Sequence, residues 1–318
     1  MQDIFDIQDE ISLAIVAALK VKLLGAEKAT VLKRYTDNNE VYQLYLKGRF
    51  FWNKRTDETL KQAIGCFQQA IDLDPNYALA WAGLADSRFY LGYAFGYMAP
   101  VEAMPKAKAA ALRALELDDA LAEAHVSLGL IRLFFEWDWA GTQSAFNRAI
   151  ELNPGYSVSR HFYAIYLATV WEKFDDAIAE AKRALGLDPL SLPLHNIVAL
   201  LLLDAHRYDE ATTMWRKMLE VEPKATGAYN EIGWAYEIQD KYDEASDAYI
   251  QGMVIAGEKE EQIIAFRQLY TSLGINGIRE WKVEFFLKKW EERNHWHGDA
   301  YAVAVNYARL GDQEQAFA

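Results

Sequence analysis

Cysteine and proline are scarce in this chain of 318 residues, and each scarcity excludes a class of architecture. Cys66 is the single cysteine, so the chain cannot form an internal disulfide or a zinc site built on a cysteine pair. The seven prolines are scattered, and no stretch rich in glycine, serine or proline has the composition of a linker. This pattern favours one continuous array over two globular domains joined by a tether.

Positive charge is also in short supply, because 33 lysines and arginines face 46 aspartates and glutamates. The formal net charge is −13, and no basic stripe is long enough to neutralise a run of phosphates. Long apolar runs are missing as well: the longest uncharged stretch, 189–203, is shorter than a bilayer span and contains two prolines. We therefore predict that this segment neither binds nucleic acid directly nor inserts into a membrane.

Motifs that carry chemistry are absent from the sequence. There is no GxxxxGK[ST] or GxGxxG phosphate-binding loop, no HExxH zinc motif and no GxSxG nucleophile motif. His295 and His297, with Asp299 nearby, are the only local group of metal-binding side chains, and a fourth ligand is missing. We expect no catalytic residue, no cofactor and no metal, and hence no enzyme activity in this segment.

What the sequence does contain is a phrase that returns along the chain. It reads AIDLDPNY at 70–77, AIELNPGY at 149–156, ALGLDPLS at 184–191 and MLEVEPKA at 218–225. The prolines of the last three phrases, Pro154, Pro189 and Pro223, are 35 and 34 residues apart. Because a proline cannot continue a helix, each phrase marks the end of a helix in a repeat of about 34 residues.

A second landmark precedes each phrase, at the start of the second helix of every unit. It is a small residue, followed after four places by a bulky or a second small residue. Three places further on comes alanine, glycine or, in one unit, methionine, so all three positions lie on one helical face. The small residues are Ala63, Ala107, Thr142, Ala177, Ala211 and Ala245. The two landmarks together predict an all-α chain of stacked helix-turn-helix units.

The first helices carry the segments AWAGLAD, AHVSLGL, LHNIVAL and AYNEIGWAY. With the alanine and proline positions above, these segments resemble the tetratricopeptide repeat. The resemblance implies a right-handed α-solenoid. We predict an N-terminal helix and connecting segment at 1–40, six repeats at 41–257, a degenerate helical repeat at 258–298 and the truncated start of a further repeat at 299–318. The cut helix at the end leads us to expect a fragment of a longer protein.

A closer resemblance rests on the phrases DIFDIQDEISLAIVAALKVKLL, YLKGRFFWNKRT, YALAWAGLADSRFYLGYAF and AEAHVSLGLIRLFFEWDWAG. They are similar to the C-terminal tetratricopeptide modules of bacterial multidomain signalling proteins. In that group the module accompanies a CadC-like winged-helix regulator, an adenylate cyclase or a serine/threonine kinase. The resemblance implies a signalling or transcription-regulatory role with an output domain outside these residues, on the cytoplasmic or the periplasmic side.

In the family that the chain resembles, first helices line a concave wall at positions one, five and eight or nine beyond the first signature residue. Aromatic and asparagine side chains there suit an extended peptide, because rings give apolar contact and amides bond a backbone. Applied to this sequence, the rule predicts a partner-binding face of Tyr45, Arg49, Trp52, Asp86, Phe89, Tyr90, His161, Phe162, Asn196, Asn230 and Trp234.

The expected partner of this face is a protein or peptide, and self-association into a homo-oligomer is also compatible with it. Three alternatives stay open at this point. The aromatic residues could pack between neighbouring first helices, the groove could be a small-molecule sensor, or the array could be a structural spacer or dimerisation scaffold.

Overall fold

In the computed structural model, which describes residues 36–94, 97–292 and 297–317, regular structure is entirely helical. The predicted all-α fold is confirmed for these residues. The predicted N-terminal helix at 1–40 lies largely outside them. The chain divides into two compact units, which are described separately.

The first unit comprises Met1–Ala94 and Met98–Ile131. Its third helix continues into a π-helical turn, π1, at Tyr90–Ala94. The helices are α1 (Asn39–Lys54), α2 (Asp57–Leu73), α3 (Ala78–Phe89), α4 (Pro100–Leu117) and α5 (Ala122–Ile131).

The second unit contains Arg132–Ala318 and begins with a π-helical turn, π2, at Arg132–Glu136. Its helices are α6 (Trp139–Leu152), α7 (Ser157–Trp171), α8 (Phe174–Leu187), α9 (Leu192–Asp204), α10 (Tyr208–Val221), α11 (Thr226–Ile238), α12 (Tyr242–Ala256), α13 (Glu260–Leu273), α14 (Ile275–Glu292), α15 (His297–Leu310) and α16 (Gln313–Phe317).

Within each unit, consecutive helices pack as pairs and the pairs stack on one another. In the first unit α1 packs on α2 and α3 on α4, while α2 also contacts α3. In the second unit the same pattern joins α7 to α8, α9 to α10 and α11 to α12. This is the stacked helix-turn-helix arrangement of an α-solenoid, in which each repeat buries its apolar face against its neighbours.

The small residues that the sequence singles out are buried in the helix pairs. Ala63, Ala107, Thr142, Ala177, Ala211 and Ala245 are all 0% exposed. Four residues further on, Phe67, Phe146 and Trp215 are also fully buried. A small side chain lets two helices approach, and the bulky one fills the space beside them. The predicted register of the second helices is therefore confirmed.

The ends of the helices follow local chemistry. Second helices end at Asp74, Asp118, Asn153 or Glu222, and each of these side chains accepts a hydrogen bond from the backbone N–H two residues later, at 2.9 to 3.2 Å. Such turns compete with helix continuation, and proline is barred from continuing a helix. The recurring phrase thus marks the end of one repeat and the start of the next.

The turns inside the repeats have a different character. They place a non-glycine residue in the left-handed region, with φ between 51° and 59°. These residues are Arg55, Trp137, Glu172, His206 and Asp240. The last four positions recur every 34 or 35 residues, so the backbone repeats its conformation although the residue type changes.

The second repeat departs from the common length. The sequence predicts a lengthened first helix, with Pro100 and Pro105 at the turn and at the start of the next helix. In the structure π1 extends α3, and α4 already begins at Pro100, so Pro105 lies inside that helix. Pro105 comes just past the first turn, where its missing N–H removes a single backbone hydrogen bond.

No helix in the described ranges is both long and apolar enough to cross a membrane.

Candidate partner-binding surfaces

Six of the predicted face residues come together in the first unit. Tyr45, Arg49 and Trp52 lie on α1, Asp86 and Phe89 on α3, and Tyr90 on π1. We call these six residues the α1–α3 cluster. Its rings meet edge to face: the Trp52 and Tyr90 centroids are 5.4 Å apart, and those of Phe89 and Tyr90 are 5.7 Å apart.

Most of the α1–α3 cluster is buried. Trp52, Asp86, Phe89 and Tyr90 are each at most 6% exposed. Only Tyr45 and Arg49 are half-buried, and the Tyr45 ring itself packs on Phe67 and Tyr77 at 5.9 and 5.6 Å. In this structure the cluster is mainly a packing core between helices, as one of the alternatives anticipates.

Asp86 is the charged centre of the α1–α3 cluster. Its carboxylate accepts a hydrogen bond from Ser127 on α5 and lies 3.5 Å from the Arg49 guanidinium on α1. Burial raises the pKa of Asp86 to about 6, and Arg49 and Ser127 offset only part of that cost. The carboxylate thus links three helices while its charged form stays poorly solvated.

Two guanidinium groups flank Trp52. Arg49 lies 4.3 Å and Arg55 4.9 Å from the indole ring, and Arg55 is also 4.8 Å from Tyr90. These cation–π contacts hold both arginines against the aromatic rings.

The three central face residues, in the second unit, also contact their neighbours. The His161 ring stacks on Phe162 at 4.6 Å, and Phe162 is 8% exposed. The Asn196 carboxamide oxygen accepts a hydrogen bond of 2.9 Å from the indole N–H of Trp215. Asn196 is thus hydrogen-bonded to a core side chain. That bond occupies part of the hydrogen-bonding capacity of the carboxamide that would be needed to bind a peptide backbone.

Asn230 and Trp234, the last two predicted residues, face a pocket of about 540 Å³ within the second unit. Asn230 is exposed and Trp234 is half-buried. We call this the C-terminal pocket. Its other lining residues are Glu231, Tyr249, Trp281, Lys282, Phe285, Phe286, Tyr301, Ala302, Val305, Asn306 and Arg309.

An aromatic platform forms one wall of the C-terminal pocket. The Trp281 and Phe285 rings on α14 are stacked with centroids 5.2 Å apart. Tyr301 on α15 is 73% exposed, so the pocket opens to solvent there. Apolar walls with a few placed polar groups are typical of ligand sites.

Behind the pocket, Glu237 on α11 is buried and shared by several partners. Lys282 donates to Glu237 at 2.6 Å and to the Tyr249 hydroxyl at 2.8 Å, and that hydroxyl donates to Glu237 at 3.1 Å. Arg309 lies 3.6 Å and Arg279 3.9 Å from the same carboxylate. We call these five residues the Glu237 cluster; it ties α14 and α15 to α11 and α12.

Burial governs the ionisation of these groups. It lowers the pKa of Lys282, against the attraction of Glu237, and it raises the pKa of Tyr249 well above its usual value, with Glu237 adding to that rise. The pKa of Glu231, on the pocket wall, is raised by burial as well. The charged form of Lys282 is stabilised by pairing with Glu237 rather than by water.

Within the described residues no group of three or more His, Cys, Asp or Glu side chains is arranged to hold a metal ion. The side chains of His295 and His297 fall outside the part that the structure describes.

Several pocket residues were missed by sequence reasoning. Ala300 precedes Ala316 by 16 residues, as Tyr229 precedes Ala245, so the wall rule applied to the last repeat gives Tyr301, Val305 and Arg309. All three line the pocket. Trp281 and Phe285 carry no such signal, because α14 belongs to the segment without a recognisable repeat pattern.

Helix pairs joined by short turns and stacked through buried small residues define an α-helical repeat protein, a class that commonly serves protein–protein interaction. The family model of the tetratricopeptide repeat matches residues 198–261 of this chain. The resemblance inferred from the sequence is confirmed at this level, and proteins built of this repeat are generally scaffolds rather than catalysts.

Among curated proteins, the chain is similar to the transcriptional regulator HilA of Salmonella typhimurium and of Salmonella typhi. Each is 30% identical over 147 residues, which is 46% of this chain and 26% of the regulator. The chain therefore spans about a quarter of the length of the curated relatives it matches.

Solved structures show the same fold. One is TTC0263, a tetratricopeptide-repeat protein of Thermus thermophilus, with 18% identity and a TM-score of 0.51 over 61% of this chain and 98% of that one. Another is the Cut9–Hcn1 hetero-tetramer of the APC/C, with 15% identity and a TM-score of 0.52 over 81% of this chain and 51% of that one. At these identities the likeness concerns the fold alone.

Proposed function

We propose that this chain is the non-catalytic, protein-binding module of a bacterial signalling or transcription-regulatory protein. Its occupancy by a protein or peptide would be passed to an output domain on the same polypeptide. The division into six repeats at 41–257, a degenerate repeat at 258–298 and the start of another at 299–318 is part of this proposal. The observation that carries it is the C-terminal pocket.

The pocket suits a peptide for physical reasons. The stacked Trp281 and Phe285 rings offer a flat apolar surface for a bulky side chain, and burying such a side chain is the main source of affinity in peptide recognition. Asn230 is exposed beside this surface and can both donate to and accept from a peptide backbone. The pocket thus combines an apolar anchor site with an adjustable polar rim.

The regulatory context is supported by the similarity to HilA, which is a transcriptional regulator. The phrases that resemble bacterial signalling modules point the same way. Because the similarity covers about a quarter of that regulator, the output domain is part of the proposal.

Site-specific photo-crosslinking in the native cell tests the binding function. A benzoylphenylalanine replaces Tyr301, 73% exposed at the pocket, or Leu190, 74% exposed after α8, as the matched control. We expect a discrete polypeptide to be captured at position 301 and not at 190, and the adduct to be lost in a Trp281→Ala variant. Equal capture at both positions, or none at 301, would overturn the proposal.

A small-molecule sensor is the second candidate, favoured by the pocket volume of about 540 Å³, which falls in the range of ordinary ligand sites. A cell extract freed of protein should then raise the melting temperature of the wild-type chain but not of Trp281→Ala. Self-association of the chain stays a prediction that sedimentation velocity can test.

A further inference from the structure

Of the two cations that line the C-terminal pocket, Lys282 and Arg309, Arg309 is the less engaged. In the described part of the chain its guanidinium makes one loose ion pair, 3.6 Å from Glu237, and its side chain is 36% exposed. A guanidinium has five N–H donors arranged as a fork that matches a carboxylate. Arg309 lines the pocket, and among the described residues a single loose ion pair engages only part of that donor capacity.

Glu237 cannot satisfy Arg309, because the same carboxylate serves three other groups. Lys282 and Tyr249 hold one of its oxygens at 2.6 and 3.1 Å, and Arg279 shares the other with Arg309. Together, the pocket lining and the Glu237 cluster behind it hold three cations, Lys282, Arg279 and Arg309, and two carboxylates, Glu231 and Glu237. An additional carboxylate would therefore be attracted, in a chain whose net charge is −13.

The apolar part of the pocket determines which kind of side chain would bind next to that carboxylate. The Trp281 and Phe285 platform on α14 lines the pocket together with Arg309 on α15. Asn306, one turn before Arg309 on α15, is 5% exposed, and its carboxamide N–H₂ donates to the Ala302 carbonyl at 2.8 Å. The Asn306 carboxamide oxygen has no hydrogen-bond partner among the described residues. That oxygen calls for an N–H donor beside the carboxylate.

These features point to one kind of occupant. We propose that the C-terminal pocket binds an extended segment of a partner protein, in which an acidic side chain pairs with Arg309. A bulky apolar side chain two residues away lies on the Trp281 and Phe285 platform. The spacing follows because alternate side chains of an extended chain point the same way, roughly 7 Å apart. This inference rests on the proposed peptide-binding function.

An internal segment fits the lining better than a chain terminus does. The lining comes from four helices, α11, α12, α14 and α15, so an extended chain has polar groups to meet beyond the anchor, including Asn230 on α11. A peptide segment that continues beyond the apolar anchor residue presents a side chain, rather than a terminal carboxylate, to Arg309. A partner's carboxyl terminus is the competing source of the same charge, and the experiment separates the two.

The test is a peptide array probed with the purified chain. Heptapeptides of glycine and serine, acetylated and amidated, carry glutamate at the third place and each of the twenty residues at the fifth. Matched sets carry glutamine in place of glutamate, or glutamine with a free carboxyl terminus. We expect binding to need glutamate together with an aromatic or large aliphatic residue, and not to need the free terminus.

Variants of the chain test whether peptide binding depends on the proposed pairing of Arg309 with the glutamate of the peptide. By fluorescence polarisation we expect Arg309→Gln to weaken the best capped glutamate peptide about tenfold, the usual loss for a charge-assisted bond. Arg309→Lys, which keeps the charge, should lose less. Arg267→Gln, which removes an exposed arginine of α13 outside the pocket, should bind as wild type.

Each outcome decides the matter. Equal binding of glutamate and glutamine peptides, wild-type affinity in Arg309→Gln, or a requirement for the free terminus would overturn this inference and leave peptide binding intact. Failure of every peptide to bind would also overturn this inference, and the absence of capture at position 301 would overturn the proposed function as well. Thermal melting confirms that each variant is folded.

Discussion

At the scale of single residues, the ionisation of the buried Asp86 side chain is coupled to folding. Its pKa in the folded chain is about 6, above the ordinary 3.8, so the folded state holds this proton more tightly than the unfolded state. The stability that comes from the protonated form is complete below about pH 4 and is lost as pH rises through 6. The loss amounts to at most about 3 kcal/mol.

We therefore expect Asp86→Asn to flatten the dependence of stability on pH between 4 and 7. Urea unfolding at each pH gives the free energy of unfolding of the variant and of wild type. The exposed Asp247→Asn change is the control and should leave the slope as it is. Equal slopes for Asp86→Asn and wild type would contradict the burial argument.

Glycines in the first unit give a second prediction at this scale. A Cβ on Gly83 would stand 2.6 Å from the ring of the fully buried Phe67, whereas a Cβ on Gly65 would meet nothing within 4 Å. Gly83→Ala should cost roughly 1 to 3 kcal/mol through overpacking. Gly65→Ala, inside α2, should stabilise by roughly 0.5 to 1 kcal/mol through helix propensity. Chemical denaturation of the two variants should show opposite signs.

Only some of the predicted face residues lie at an open surface in the structure. The wall rule finds Asn230 and Trp234, which line the C-terminal pocket. It also selects Trp52 and Tyr90, which are buried, because a position on a first helix does not reveal that arginines and a π-helical turn cover it. Those contacts depend on the three-dimensional neighbours, which the repeat pattern does not specify.

At the scale of elements, the Glu237 cluster decides how α14 and α15 attach to α11 and α12. The Glu237 side chain is 3% exposed and is the shared ion-pair partner of Lys282, Arg279 and Arg309. Glu237→Gln leaves three cations without their shared counter-charge, so we expect a loss of roughly 3 kcal/mol in unfolding free energy. Adding Lys282→Met to that variant should restore part of it. The exposed Glu220→Gln on α10 is the control.

The sequence predicts the second helices well and α14 poorly, for a physical reason. Proline and capping side chains mark the ends of the second helices, and small residues mark their packed faces. Both signals are local and can be read from the sequence. The attachment of α14 depends on the contact of Lys282 with Glu237, 45 residues away, and on no periodic pattern.

At the scale of the whole molecule, the repeat register makes its own prediction. Ala211 and Ala245 are both 0% exposed at helix contacts, so changing either to leucine should cost roughly 1 to 3 kcal/mol. Ala179→Leu, at an exposed position of α8, should be near neutral. In a stacked array each repeat touches its neighbours alone, so hydrogen exchange should show the loss of protection concentrated around the altered repeat. Wild-type stability in both buried variants would refute the register.

The turns inside the repeats are positions at which a substitution can increase the stability of the protein. Arg55, Trp137, Glu172, His206 and Asp240 all adopt a left-handed backbone that side chains resist, and the packed helices on either side impose it. Glycine at such a turn relieves the strain, at the expense of a more flexible unfolded chain. We expect Glu172→Gly to raise the free energy of unfolding by about 0.5 kcal/mol, and glycine at several turns together to raise the melting temperature in small additive steps. The turns are thus a set of equivalent, independently adjustable positions for thermostabilisation.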